Sequence, residues 1–203
     1  FAVRSFALVN VLYAGGNFTS IGGVPAAHLA STAGGTSFAW SQFANGLPNS
    51  CTALYVSATA SPVPDILASV FNGPTHRLVT GSFVPMGTQS FRSLTFHGGS
   101  YVGVAPTTTI GTCFRFDGVD WVPVEGEGLD GDVVAATPIG DDVVVGGFFP
   151  SIPGIPDSFL ARWNGTTFQS LGSGVNGAVT GLATLRNGDV VEHTKSGPAS
   201  HTR

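Results

Sequence analysis

Eight of the twelve acidic residues crowd into 26 positions: Asp117, Asp120, Glu125, Glu127, Asp130, Asp132, Asp141 and Asp142. Two carboxylates facing each other across a cleft can hydrolyse a glycosidic bond. Several oxygen donors converging in one loop can instead hold calcium. Glu125, Glu127, Asp130 and Asp132 are the residues best placed for either task. Turn chemistry competes with both readings, because Asp117, Asp120, Asp141 and Asp142 stand where chain reversals favour Asp, whose carboxylate accepts nearby backbone N–H groups. The turn reading is the simpler one, and the sequence assigns no catalytic, cofactor-binding or metal-binding residue.

Other chemically competent side chains are dispersed. His28, His76, His97, His193 and His201 lie at least eight positions apart, and no pair has the H-x-x-x-H spacing of a zinc site. They read as ordinary strand, turn or tail histidines, with His28 and His76 at similar third-strand positions and a shared packing role. Cys51 and Cys113 could close one disulfide or stay buried as thiols; two cysteines carry little pairing information, and the thiol reading is preferred. Asn17-Phe18-Thr19 and Asn164-Gly165-Thr166 fit the glycosylation acceptor pattern, but both lie in a Gly/Asn/Thr-rich phrase that produces them by composition. No glycine-rich run has the form of a phosphate-binding loop.

The elements that would position these residues are strands. Charged residues make up only 10% of the 203, while Gly numbers 29, Pro 13 and Phe 15, a profile of many short strands joined by tight turns in one domain. A net charge of −4 and a single lysine, Lys195, provide no basic stripe for phosphates, which argues against a nucleic-acid partner. No apolar run approaches the ~20 residues of a membrane-spanning helix, so no membrane insertion is expected. The chain opens on Phe1 and shows no signal-peptide pattern, so a processed protein or a piece of a longer one is expected.

One phrase recurs four times: an aromatic, two residues, then a large apolar residue. The copies are Trp40 with Phe43, Phe83 with Met86, Trp121 with Val124 and Phe168 with Leu171, and their aromatics stand 43, 38 and 47 positions apart. That period predicts an all-β fold, a β-propeller of four-stranded antiparallel blades. About four and a half repeats are expected, in units of about 1–43, 50–86, 90–124, 132–171 and a partial 178–191, within a larger propeller. Residues 192–203 are expected to form a frayed or disordered tail. Asn164-Gly165 is expected to make a two-residue type I′ turn, and Asp141-Asp142 another reversal. Residues three apart on a strand face opposite sides, so each aromatic should pack on one neighbouring blade and its aliphatic partner on the other. Gly15-Gly16 and Gly146-Gly147 should relieve crowding where strands converge.

Residues 143–177, with Gly-Gly-Phe-Phe, Ser-Ile-Pro-Gly, Leu-Ala-Arg-Trp-Asn-Gly-Thr-Thr-Phe and Leu-Gly-Ser-Gly-Val-Asn-Gly, resemble bacterial extracellular propeller repeats of the kelch and galactose-oxidase-central-domain type. Residues 12–23 repeat the phrase as Tyr-Ala-Gly-Gly-Asn-Phe-Thr-Ser-Ile-Gly-Gly. Unlike the kelch pattern, no Tyr stands between Gly146-Gly147 and Trp163. The resemblance implies a secreted or cell-surface, non-enzymatic binding scaffold that takes a protein or carbohydrate ligand on propeller-face loops, without a cofactor. The alternative is part of an extracellular carbohydrate-active hydrolase or oxidase whose catalytic residues lie outside this segment. A structural repeat in a surface assembly is the third possibility.

Overall fold

The computed structural model describes residues 2–8, 11–32, 39–57, 64–105, 112–124, 129, 131–149, 151–152, 155–156, 159–185, 187–194 and 197–201. They group into two compact units, Phe1–Phe91 and Arg92–Arg203, where composition predicts a single domain. Among the described residues every regular element is a strand.

The first unit holds two sheets. β1 (Ala2–Leu8) pairs with β2 (Leu12–Asn17), a small ribbon follows as β3 (Ser20–Ile21) and β4 (Val24–Pro25), and β5 (Leu29–Thr32) and β6 (Trp40–Gln42) complete the sheet in the order β1-β2-β5-β6. The second sheet is β7 (Cys51–Val56), β8 (Ile66–Val70), β9 (Thr75–Val79) and β10 (Ser82–Met86), in chain order. The second unit begins with β11 (Ser93–His97), β12 (Ser100–Ala105), β13 (Thr112–Phe116) and β14 (Trp121–Pro123), again in chain order. β15 (Asp132–Ile139) and β16 (Asp142–Phe148) follow, then a ribbon of β17 (Ser151–Ile152) and β18 (Ile155–Pro156), then β19 (Leu160–Trp163) and β20 (Phe168–Ser170), giving β15-β16-β19-β20. β21 (Val179–Thr184), β22 (Val190–Thr194) and β23 (Gly197–His201) form a last, three-stranded sheet.

All pairings are antiparallel, and the four aromatic phrases begin on the outermost strands β6, β10, β14 and β20. Within the segment expected to fray, residues 192–194 and 197–201 are strand. They complete β22 and return as β23, with Val191 opposite Ser200 and Glu192 opposite Ala199, because β22 offers a free edge that a following strand satisfies.

The turns differ from the expectation. Two-residue reversals at left-handed φ fall at Gly22-Gly23, Thr80-Gly81 and Gly98-Gly99, joining Ile21 to Val24, Val79 to Ser82 and His97 to Ser100. Asn164-Gly165 belongs instead to a four-residue loop between the opposed residues Trp163 and Phe168. There Asn164 Oδ1 accepts the N–H groups of Thr166 at 3.0 Å and Thr167 at 2.9 Å, so the side chain, not a type I′ backbone, shapes the reversal. Asp142 pairs with Ile139 as the first residue of β16, which leaves Gly140 and Asp141 as the turn.

The first strand of four sheets carries an irregularity near its start. The register shifts between Val3 and Ser5, Cys51 and Ala53, Val133 and Ala135, and Val179 and Gly181. Such a bulge sharpens the local twist and draws the strands together, and the paired glycines serve that approach. A Cβ on Gly147 would collide with the backbone of Asp132 and Val133 across the bulge of its own sheet. A Cβ on Gly146 would stand 2.5 Å from Val179 Cγ1, at the bulge of the next sheet, and one on Gly15 2.5 Å from Cys51 Sγ. One glycine of the pair therefore admits its own sheet's bulge, and the other admits the neighbouring sheet.

Apolar clusters fill the space between successive sheets within each unit. Tyr13, Leu29, Cys51, Leu54 and Ile66 form one, joined by Phe43 and Phe83. Val102, Val104, Val133, Val145 and Trp163 form another, joined by Val124 and Phe168; a third gathers Val144, Leu160, Val179 and Val190 with Leu171. Phe168 and Leu171, three apart, thus enter clusters on opposite sides of their sheet, as the pleat requires. Hydroxyls bridge adjacent sheets: Ser93 Oγ donates to Ala136 O at 3.2 Å and accepts its N–H at 3.1 Å, and Thr184 Oγ1 donates to Pro138 O at 2.5 Å.

Candidate functional site

The acidic residues do not converge among the described residues. Glu125, Glu127 and Asp130 lie outside them, and Asp132 opens β15. No group of three His, Cys, Asp or Glu side chains among the described residues is placed to hold a metal. Asp117 is a turn residue: its Oδ1 accepts the N–H of Val119 at 2.8 Å and of Asp120 at 2.9 Å. Those two bonds, Asp120's first, hold its carboxyl below the usual carboxylate range, with a smaller contribution from Arg115. Asp120 Oδ1 in turn accepts the N–H of Trp121 at 2.8 Å. Asp142 is not a turn residue but the partner of Arg162 in a half-buried ion pair.

The histidines do not share one position. His28 precedes β5 with φ 63°, its carbonyl accepting the Gly16 N–H at 3.1 Å, and Phe159, φ 43°, does the same for Gly147 at 3.2 Å. His76 lies within β9 opposite Ala68, the register place that Ala30 fills in the first sheet. His97 packs against the Trp163 ring at 5.4 Å, His193 Nδ1 meets Thr180 Oγ1 at 2.7 Å, and His201 ends β23. Cys51 and Cys113 are free thiols, each pushed up to about 12 by burial. Asn17 and Asn164 of the two glycosylation patterns are both hydrogen-bonded, Asn17 Oδ1 accepting from Ser50 Oγ at 3.0 Å.

Among the described residues a groove of about 450 Å³ opens in the second unit. Arg115 on β13 and Val122, Pro123 and Val124 on and after β14 form one wall. Trp163, Gly165 and Thr166, at the β19–β20 loop, form the other. Trp163 is 2% exposed, and its indole N–H is buried without an acceptor among the described residues. Thr166 Oγ1 is committed to Asn164 Oδ1 at 2.8 Å, and among the described residues Arg115 supplies the only charge in the lining. Sequence reading missed this residue, yet a signal exists: Arg77, Arg115 and Arg162 each stand six positions before the aromatic of their repeat.

No protein-family model matches the chain, and no curated protein matches it in sequence. Solved structures do match. The extracellular domain of the one-component system BT4673 from B. thetaiotaomicron superposes at TM-score 0.62 and 15% identity over 97% of this chain and 26% of that one. The WD40 β-propeller domain of Doa1 does so at TM-score 0.62 and 12% identity, over 96% and 62%. The fold is a β-propeller. The computationally designed Ika8 protein, at TM-score 0.58 and 18% identity, is likewise covered in part: the chain spans 55% of its length, while 95% of the chain is matched. At these identities the propeller likeness establishes the fold alone; its four-stranded sheets are the blades, and the three-stranded β21–β23 sheet is the partial repeat.

Proposed function

We propose that this chain is a secreted or cell-surface propeller-repeat protein of the kelch or galactose-oxidase-central-domain type, in which residues 1–191 act as a non-enzymatic scaffold for a protein or glycan. The observation that carries the reading is the division of labour in the sheets. Inner strands are locked by bulge, glycine and hydroxyl contacts between neighbours, while the outer hairpins β13–β14 and β19–β20 are shaped by their own Asp and Asn side chains and frame an open groove. Rigid blades with locally determined loops are what a binding surface needs, because loop side chains can change without disturbing the core. Similarity to the extracellular domain of BT4673 supports the location.

The test is a glycan array and a displayed-peptide panel, run on cooperatively melting protein with calcium and again with EDTA. Saturable binding to either panel without turnover supports the scaffold. Release of a cleaved or oxidised sugar refutes it in favour of a carbohydrate-active enzyme, and failure to bind anything on both panels refutes it in favour of a purely structural repeat.

A further inference from the structure

Three blades carry an arginine at one register position. Arg77 lies opposite Leu67, Arg115 opposite Val102 and Arg162 opposite Val144. Two residues before each of those partners stand Asp65, immediately ahead of β8, and Ser100 and Asp142, the first residues of β12 and β16. Two of the three arginines are answered: Arg77 Nε donates to Asp65 Oδ1 at 2.9 Å, and Arg162 donates to Asp142 Oδ2. The third is not. Ser100 has no charge, and its Oγ donates to Phe116 O at 2.5 Å. Asp117, the nearest acid in sequence, spends Oδ1 on two backbone N–H groups, and no ion pair to Arg115 forms among the described residues.

This guanidinium, without an ion-pair partner among the described residues, is also the one that lines the groove. Beside it Val122 is 36% exposed and Pro123 is exposed, an apolar shelf for an aliphatic side chain. Opposite, Trp163 cannot serve as a stacking platform for a sugar ring, being 2% exposed with His97 packed on it. Charge and shape together therefore call for a carboxylate next to an aliphatic group on a slender chain. We propose that this groove docks an acidic peptide segment, an Asp or Glu carboxylate pairing with Arg115 as the strand-borne Asp does in the two sibling blades, and a neighbouring aliphatic side chain resting on Val122 and Pro123. The proposal rests on the scaffold reading and names its partner class.

The test uses the full chain and pools of fluorescein-labelled, capped pentapeptides with Asp or Asn fixed at the centre and Val, Leu, Ile and Ala randomised at the flanks, read by fluorescence polarisation. The Asp pool is expected to bind at least about tenfold more tightly than the Asn pool, and to weaken in 0.5 M salt. Arg115→Gln should abolish that preference. Ser100→Asp should abolish it too while the melting transition persists, because it installs the carboxylate that Asp65 and Asp142 provide elsewhere; this variant decides the matter if Arg115→Gln fails to fold. Arg92→Gln, at an exposed arginine of the same unit, should change nothing. Equal binding of the two pools, an Asp preference that survives Ser100→Asp, no saturation by either pool, or binding of oligogalacturonate alone would overturn the proposal. Array or panel ligands insensitive to Arg115→Gln would leave the scaffold reading standing without this groove; an absence of any ligand would remove both.

Discussion

Adding one methyl group at Gly146 tests whether sheets are seated on one another through glycine. An ideal Cβ there stands 2.5 Å from Val179 Cγ1, 2.9 Å from Val179 Cβ and 3.2 Å from Leu182 Cδ1, against 3.4–4 Å for ordinary contact. Val179 is fully buried and belongs to the cluster with Val144 and Leu160, so it cannot rotate outward without opening that cluster. Relieving nearly an ångström of overlap in a packed core costs about 1–3 kcal/mol, so Gly146→Ala should lose about 2 kcal/mol, or about 4–8 °C in Tm for a chain of this size. Val179→Ala alone should also cost about 2 kcal/mol, from lost burial. The two together should cost about 3 rather than 4 kcal/mol, because deleting Cγ1 vacates the place the new methyl takes, a coupling of about 1 kcal/mol. Gly147→Ala supplies the contrast: its methyl meets the Asp132 and Val133 backbone, which no side-chain truncation can withdraw, so it should cost more than about 3 kcal/mol and gain nothing from Val179→Ala. The assay is urea unfolding followed by tryptophan fluorescence, reported by the buried Trp121 and Trp163. Additive losses in the Gly146 and Val179 cycle, within about 0.3 kcal/mol, would refute the argument that the glycine exists to admit the next blade.

Truncating Trp163 to Ala should cost about 3–5 kcal/mol in the same assay, whereas Leu171→Ala should cost less because Leu171 is only half-buried. Both thiols should resist DTNB at pH 8 in the native protein and react fully in denaturant, since their pKa values of about 12 leave almost no thiolate. The contribution of Asp117 should be present above about pH 4 and fade as the pH falls through its depressed folded pKa, so Asp117→Asn, which keeps the turn-shaping oxygen but not the charge, should lower the pH 7 melting point slightly and flatten the acid limb of the stability curve. An acid limb and a pH 7 melting point both unchanged by Asp117→Asn would show that the charge contributes nothing to the turn beyond the hydrogen-bond geometry.

The blade pattern was legible because its signals are local: an aromatic three positions before an aliphatic marks each outer strand, and Gly-Gly marks the crowded second strand in β2 and β16. What was missed depends on register. His28 and His76 look equivalent by counting along the chain, but the β3–β4 ribbon inserted before β5 shifts the count, and pairing places His76 level with Ala30. Asn164-Gly165 carries the dipeptide of a type I′ turn, yet Thr166 and Thr167 offer N–H groups that Asn164 satisfies better through a longer loop. The polar run after Glu192 has no aromatic phrase, and the free edge of β22 pairs it regardless. Arg115 became conspicuous only when the same register place in sibling blades showed what a matched arginine looks like.

Pro85 lies inside β10 and Pro123 ends β14, opposite His76 and Phe114, and each of those strands is the last in its sheet. A chain of look-alike sheets runs a particular hazard at high concentration: any outer strand can accept the corresponding strand of another copy and propagate. A residue without an N–H breaks the ladder such an intruder would need, so half of the four outer margins are sterile toward self-templated growth. At those two margins the repetition that builds the molecule is kept from extending into another copy.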